Sequence, residues 1–177
     1  MRKVIAGGAC SIDCYIEGPN GEYDWIIFDK EEQAEVAKSW KEIDTMLYGR
    51  KTYEVVIAMQ AKSNYNPFAH MKHYVYSKTL TSVSEGFVLV NNNIEEQIRK
   101  LKDENGKNIA VFGGAELTCS LLNLGLIDEI KLAVVPVVLG NGKPFLAGVD
   151  KKFDLILKEC KSLSSGIVRL AYEVKKT

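Results

Sequence analysis

Hydrophobic and polar positions along this chain switch repeatedly between short apolar runs and the three-to-four spacing of helices. Runs at Val4–Cys10, Thr45–Tyr48, His73–Tyr76, Phe87–Val90 and Ile109–Phe112 predict strands. The last is continuously apolar, as expected of a strand covered on both faces. Between them lie helical patterns: Ala34, Val36, Ala37 and Trp40; a short helix with Tyr53, Val56 and Ile57; Ile94, Ile98 and Leu101; and Leu117, Leu121, Leu122 and Leu124. Asp29 with Glu32, and Asn93 with Glu96, have capping patterns at helix starts. Asn105-Gly106 and Gly125 stand where helices end. Ala61–Met71 reads as polar and irregular. After Gly125 the character changes. Leu126–Val135 reads as a long strand, Val137–Pro144 as a turn-rich excursion, and alternation at Phe153, Leu155, Leu157 and at Val168, Leu170, Tyr172, Val174 as two late strands. With no helix between those two, an antiparallel edge is expected. The pattern predicts one domain over residues 1–177, a three-layer α/β fold with a mixed, mostly parallel sheet flanked by helices.

Composition narrows the possible roles. The 177 residues carry 23 Lys+Arg against 23 Asp+Glu, so no basic field is available for nucleic acid or an anionic membrane. No apolar run approaches the roughly 20 residues needed to span a bilayer. The N-terminal stretch turns polar at Ser11 and Asp13, too soon for a signal peptide, and a cytoplasmic location is expected. Cys10, Cys14, Cys119 and Cys160 lack the clustering of a zinc site, and His70 and His73 stand apart from them. Buried, reduced thiols and no metal are the expectation.

Candidate chemistry gathers where strands end. Gly113-Gly114 precedes the helix opening Ala115-Glu116-Leu117, a place where backbone amides can receive a phosphate; a plain tight turn is the alternative. Gly49-Arg50-Lys51-Thr52 places two cations and a hydroxyl at another helix N-terminus, where cations oppose the helix dipole. The alternative there is a solvated basic turn. Ser77-Lys78 again sets a hydroxyl and a cation just past a strand, at the edge where open α/β sheets bind ligands. Glycine and alanine in Val4–Cys10 leave room for something flat against that strand. Tyr23, Asp24 and Trp25 form an acid-aromatic loop that could line a substrate pocket, with core packing of Trp25 the equal alternative.

In this order and spacing the three strand ends resemble the dihydrofolate reductase-like superfamily. Leu47-Tyr48-Gly49-Arg50-Lys51-Thr52-Tyr53-Glu54 is similar to its Met-Gly-Arg segment and Phe112-Gly113-Gly114 to its Gly-Gly turn. Gly114-Ala115-Glu116-Leu117 through Leu121-Leu122, Gly125–Ile130 and Pro136–Phe145 resemble a sister branch, the reductase domain of the bifunctional riboflavin-biosynthesis deaminase-reductase and its stand-alone bacterial homologues. The resemblance implies NADPH as cofactor and hydride transfer to a small heterocyclic substrate. Arg50, Lys51, Thr52, Ser77 and Lys78 would hold phosphates, with Gly49, Gly113, Gly114, Ala115, Glu116 and Leu117 along the cofactor. Ala9 and Ile16 would flank the nicotinamide, and Gly113-Gly114 would be joined by a cis peptide. Ser11-Ile12-Asp13 matches a Ser-x-Asp of that branch, which implies Asp13 as the candidate catalytic residue or substrate contact, with an ordinary loop cap the alternative; Tyr23 and Trp25 are the other candidate substrate contacts. No residue matches the helix acid by which dihydrofolate reductases engage the pterin. The deaminase motifs His-x-Glu and Pro-Cys-x-x-Cys do not occur in this sequence. A homodimer is implied too. A non-catalytic or repurposed nucleotide-binding homologue is the alternative.

Overall fold

A computed structural model describes residues 1–63 and 66–176. In chain order its elements are β1 (Val4–Cys10), β2 (Tyr15–Glu17), α1 (Lys30–Trp40), β3 (Ile43–Gly49), α2 (Arg50–Ser63), β4 (Lys72–Tyr76), β5 (Phe87–Val90), α3 (Ile94–Asp103), β6 (Asn108–Gly113), α4 (Ala115–Asn123), β7 (Glu129–Val134), β8 (Lys143–Pro144), β9 (Leu155–Ser162) and β10 (Val168–Val174). Eight strands form one sheet in the order β5-β4-β3-β6-β1-β7-β10-β9. The pairings from β5 to β7 are parallel, and β10 and β9 close the sheet antiparallel. The expected mixed sheet with an antiparallel C-terminal edge is therefore the one observed.

Strand alternation builds the layers. Val4, Ala6, Leu47, Tyr76, Ile109 and Val111 pack with Ile98 and Leu101 of α3 and Leu117, Leu121 and Leu122 of α4. Their neighbours Ile5, Met46, Tyr48, Val75 and Ala110 pack on the opposite face with Trp40 of α1 and Tyr53, Val56 and Ile57 of α2. β1 and β7 approach so closely that a Cβ at Gly7 would land on the Lys131 carbonyl, so only glycine fits there.

Several elements differ from expectation. α2 is 14 residues long, because Tyr53, Val56 and Ile57 bury one face against the sheet. Of the stretch expected to be irregular, Ala61–Ser63 completes α2, and Asn64 and Tyr65 lie outside the described residues. Asn93 sits at the start of α3 with φ 47° and makes no side-chain cap. Asp29 does cap α1, accepting from the Glu32 amide at 2.8 Å, while the Glu32 side chain turns away to Arg169. The long strand expected from Leu126 begins only at Glu129, because Leu126 and Gly125 close α4. Their amides donate to Leu121 and Leu122, and Gly125 has φ 67°. The turn-rich excursion supplies β8, which pairs with β2 in a separate two-stranded sheet. Cys10 and Cys119 are buried, but Cys14 and Cys160 are exposed: one lies in the loop after β1, the other on the edge strand β9. Among the described residues, no helix is long and apolar enough to cross a membrane.

Candidate active site

The strand register brings the three glycine and cation motifs to one place. Gly49 pairs with Tyr76 across β3 and β4, and Tyr48 with Gly113 across β3 and β6. Three parallel neighbours thus end together at the C-terminal edge of the sheet, the edge that binds ligands in open α/β folds. A cavity of about 290 Å³ opens there. It is lined by Gly49, Arg50, Lys51, Ser77, Lys78, Gly114, Ala115, Glu116 and Leu117, all expected from the sequence, together with Tyr76, Thr79, Ile94, Ser120 and Lys143. Thr52 stands behind the turn: a Cβ on Gly113 would lie 3.0 Å from its methyl and 3.1 Å from its hydroxyl.

The cavity favours an anion. α4 begins at Gly114 with no side-chain cap, so its first-turn amides and the positive end of its dipole open on the cavity. Four cations line it against one carboxylate. Lys51 lies 3.4 Å from Glu116, Arg50 2.9 Å from Glu54, and Lys143 2.8 Å from Glu17. Lys78 has no ion-pair partner among the described residues. The Tyr76 hydroxyl is buried without a hydrogen-bond partner, a costly state that an incoming acceptor would relieve. Burial pushes its phenol far up, with Tyr74 adding to the shift, so it stands as a neutral donor. Tyr76 and Lys143 line the cavity without being expected there from the sequence. Tyr76 is the last residue of the strand before Ser77-Lys78, and that position is its sequence signal. Lys143 has no local signal, since the pairing of β8 with β2 brings it in.

One expectation about the turn is corrected. The Gly113–Gly114 peptide is trans. Glycine freedom makes the turn instead, with Gly114 at φ 74°.

A second cavity, about 310 Å³, lies between α1 and strands β1, β6 and β7. Gly7, Gly8 and Ala9 form part of its floor, where the absence of large side chains leaves space above β1. Ile26, Phe28, Val36, Trp40 and Phe112 make it largely apolar. Its charged lining is Glu32, Lys131 and Arg169. Glu32 is only 5% exposed; its Oε1 accepts from Arg169 Nη1 at 2.6 Å, and its Oε2 is buried without a partner. In the sequence Glu32 carries only the signature of a helix cap. No local pattern marks its partner, which lies 137 residues away. Phe112 lines this cavity and Gly114 the other, so the Gly113 turn separates the two.

The other expected residues are placed differently. Ile16 packs against the main core. Tyr23 is exposed, and Trp25 donates from Nε1 to the Glu22 carbonyl at 3.1 Å while packing with Ala133, Val135, Leu163 and Ile167. Ile26 and Phe28, not Tyr23 and Trp25, meet the cavity. Asp13 accepts from the Leu139 amide at 3.1 Å and the Gly140 amide at 2.7 Å, tying the loop after β1 to the excursion before β8. The Ser11 hydroxyl, then these amides, hold its carboxyl at about 2, below the ordinary carboxylate range. Among the described residues, no cluster of three or more His, Cys, Asp or Glu side chains is placed to hold a metal ion.

Known proteins are similar to this chain in sequence and fold. The family model of the RibD C-terminal domain matches residues 2–169. The Bacillus subtilis (strain 168) proteins YyaP and YwjB are 37% and 30% identical, over 97% and 94% of this chain and 95% of each relative. A putative riboflavin biosynthesis protein from Shewanella sp. PV-4 superposes with a TM-score of 0.84 at 21% identity, covering 98% of this chain and 99% of that one. Dihydrofolate reductase from Enterococcus faecalis, complexed with NADP(H) and RAB-propyl, superposes with a TM-score of 0.68 at 14% identity, covering 98% of this chain and 97% of that one. The fold is thus dihydrofolate reductase-like, and by the family match and its relatives the chain belongs to the RibD C-terminal domain family.

Proposed function

We propose that this chain, as one domain, is an NADPH-dependent reductase that passes a hydride to a small heterocyclic substrate. The observation that carries the reading is the meeting of three strand ends, an uncapped helix N-terminus and four cations in one cavity, set beside a second, apolar cavity across the Gly113 turn. Complexation of NADP(H) by the similarly folded Enterococcus faecalis reductase supports the same assignment.

When bound, NADPH supplies the hydride; the chain binds and orients. The α4 amides, Arg50, Lys51, Ser77, Lys78 and Lys143 would receive phosphate oxygens, and the Tyr76 hydroxyl would donate to an acceptor of the cofactor. Ala9, on the floor of the apolar cavity, would face the nicotinamide. Asp13 contributes by fixing the loop beside β1: with both oxygens on backbone amides and its carboxyl held at about 2, it is poorly placed to give up a proton near neutrality. The exposed run Leu155, Ile156 and Leu157 on the edge strand β9 supports a homodimer. A cytoplasmic location fits a soluble reductase.

Fluorescence titration tests the reading, because Trp40 lines the second cavity. NADPH is expected to quench saturably and NADH to bind more weakly. Lys78→Glu is expected to weaken NADPH about tenfold or more while changing NADH little, as loss of a charge-assisted contact to the 2′-phosphate predicts. No saturable NADPH binding would sink the proposal. Equal losses for both dinucleotides would remove Lys78 from the 2′-phosphate.

A further inference from the structure

We infer that Glu17 competes with the bound anion for Lys143, so that dinucleotide affinity is set in part by a carboxylate outside the cavity wall. This deepens the reading proposed above and rests on it only for the identity of the anion.

Of the four cations lining the anion cavity, three are already paired with a carboxylate. The pairs differ in what an arriving phosphate must displace. Lys51 and Glu116 are 66% and 85% exposed and 3.4 Å apart, so water screens them and little is lost on parting. Arg50 gives Glu54 only Nη1, and its planar guanidinium keeps other N–H donors for a second acceptor. Lys143 has no such reserve. Its ammonium is a compact charge, and Glu17 holds it at 2.8 Å with both side chains only 35% exposed. A phosphate on the same nitrogen would stand beside the Glu17 carboxylate, and the two negative charges repel.

The backbone fixes this contest in advance. Glu17 and Lys143 are directly opposed across the β2–β8 pair, where side chains share a face. The two backbones run so close that a Cβ on Gly142 would lie 2.2 Å from the Glu17 carbonyl oxygen. Further contacts hold the ribbon together: the Phe145 amide donates to the Cys14 carbonyl at 2.9 Å, and Asp13 accepts from Leu139 and Gly140. The carboxylate is thus set within reach of Lys143 before any ligand arrives. Lys143 lines the cavity and Glu17 does not. The pair therefore draws the ammonium toward the ribbon, and a ligand must draw it back.

Calorimetric titration with inorganic pyrophosphate and with NADPH tests this. Glu17→Gln keeps the size of the side chain and removes its charge. It is expected to bind both probes about two- to fivefold more tightly than the wild type, the range set by the loss of a partly exposed ion pair. Lys143→Met is expected to bind both about tenfold more weakly. The double variant is expected to bind no more tightly than Lys143→Met, because the competition needs both partners. Melting curves check the fold. If Glu17→Gln does not fold, Glu17→Asp, one methylene shorter, is expected to tighten binding by releasing Lys143. Unchanged or weaker binding on either change at Glu17 would overturn the inference. So would the same tightening in the Lys143→Met background, which would make Glu17 a general source of negative field. Pyrophosphate showing the full cycle while NADPH does not bind would remove the reductase reading and leave Glu17 as the competitor. Binding of neither probe would overturn both.

Discussion

At the residue scale, Asp13 shows how position in the fold decides the job of a carboxylate. It stands in a loop beside a glycine-rich strand, where an acid is chemically useful, yet both oxygens are occupied by backbone amides. Its folded-state carboxyl lies at about 2, below the ordinary value near 4, so the anchor is complete above the ordinary value and is lost only as pH falls through the folded one. Asp13→Asn can accept from only one of the two amides. Hydrogen exchange at Leu139 and Gly140 is therefore expected to quicken in that variant, with little change at the β7 amides. Unchanged exchange would show that the loop is held elsewhere. Glu32 is the counterpart: a residue of ordinary helix-start chemistry whose side chain, turned inward to Arg169, leaves a buried oxygen in need of a donor.

At the element scale, Asp128 joins the lower ends of several elements. It accepts from the Val4 amide at 2.8 Å, from Lys102 of α3 at 2.6 Å and from Lys176 at 2.7 Å. Burial alone would raise its carboxyl, but the hydrogen bonds from Lys102, Lys176 and Val4 outweigh it and hold the group below its ordinary value. The depressed folded value means that its contribution is present above the unfolded carboxylate range and lost as pH falls through the lower folded value. Asp128→Asn strands the buried Lys102 ammonium without its counter-charge. Urea denaturation at neutral pH is expected to show a loss of about 3 kcal/mol, with the difference from wild type shrinking on acidification. A loss independent of pH would mean that shape, not charge, matters there.

At the scale of the whole molecule, the sheet sorts its tasks. The parallel half places strand ends, and with them the cation motifs, at one edge; the antiparallel half turns β9 outward. Leu155, Ile156 and Leu157 lie exposed along that strand, an arrangement that invites a partner strand or sheet. Sedimentation equilibrium is expected to give a dimer, and Leu157→Lys is expected to shift it toward monomer without lowering the melting temperature of the monomer. A wild-type monomer at micromolar concentration would remove the homodimer from the proposal.

Much of the fold was legible because it is local. Apolar runs and helical spacing located the strands of the parallel sheet and the four helices among the described residues, and the alternation after Gly125 announced the antiparallel edge. The cation motifs could be read one by one, since each lies in a few consecutive residues beside a strand end. What the chain alone did not contain was register. Only the pairing of Gly49 with Tyr76 and of Tyr48 with Gly113 shows that those motifs share a cavity. Only the pairing of β2 with β8 carries Lys143 to it. The contact between Glu32 and Arg169 spans 137 positions, and neither residue's neighbours hint at the other. Local sequence determined which backbone each segment adopts. The tertiary structure decided which side chains meet, because burial and pairing are settled between segments far apart in the chain.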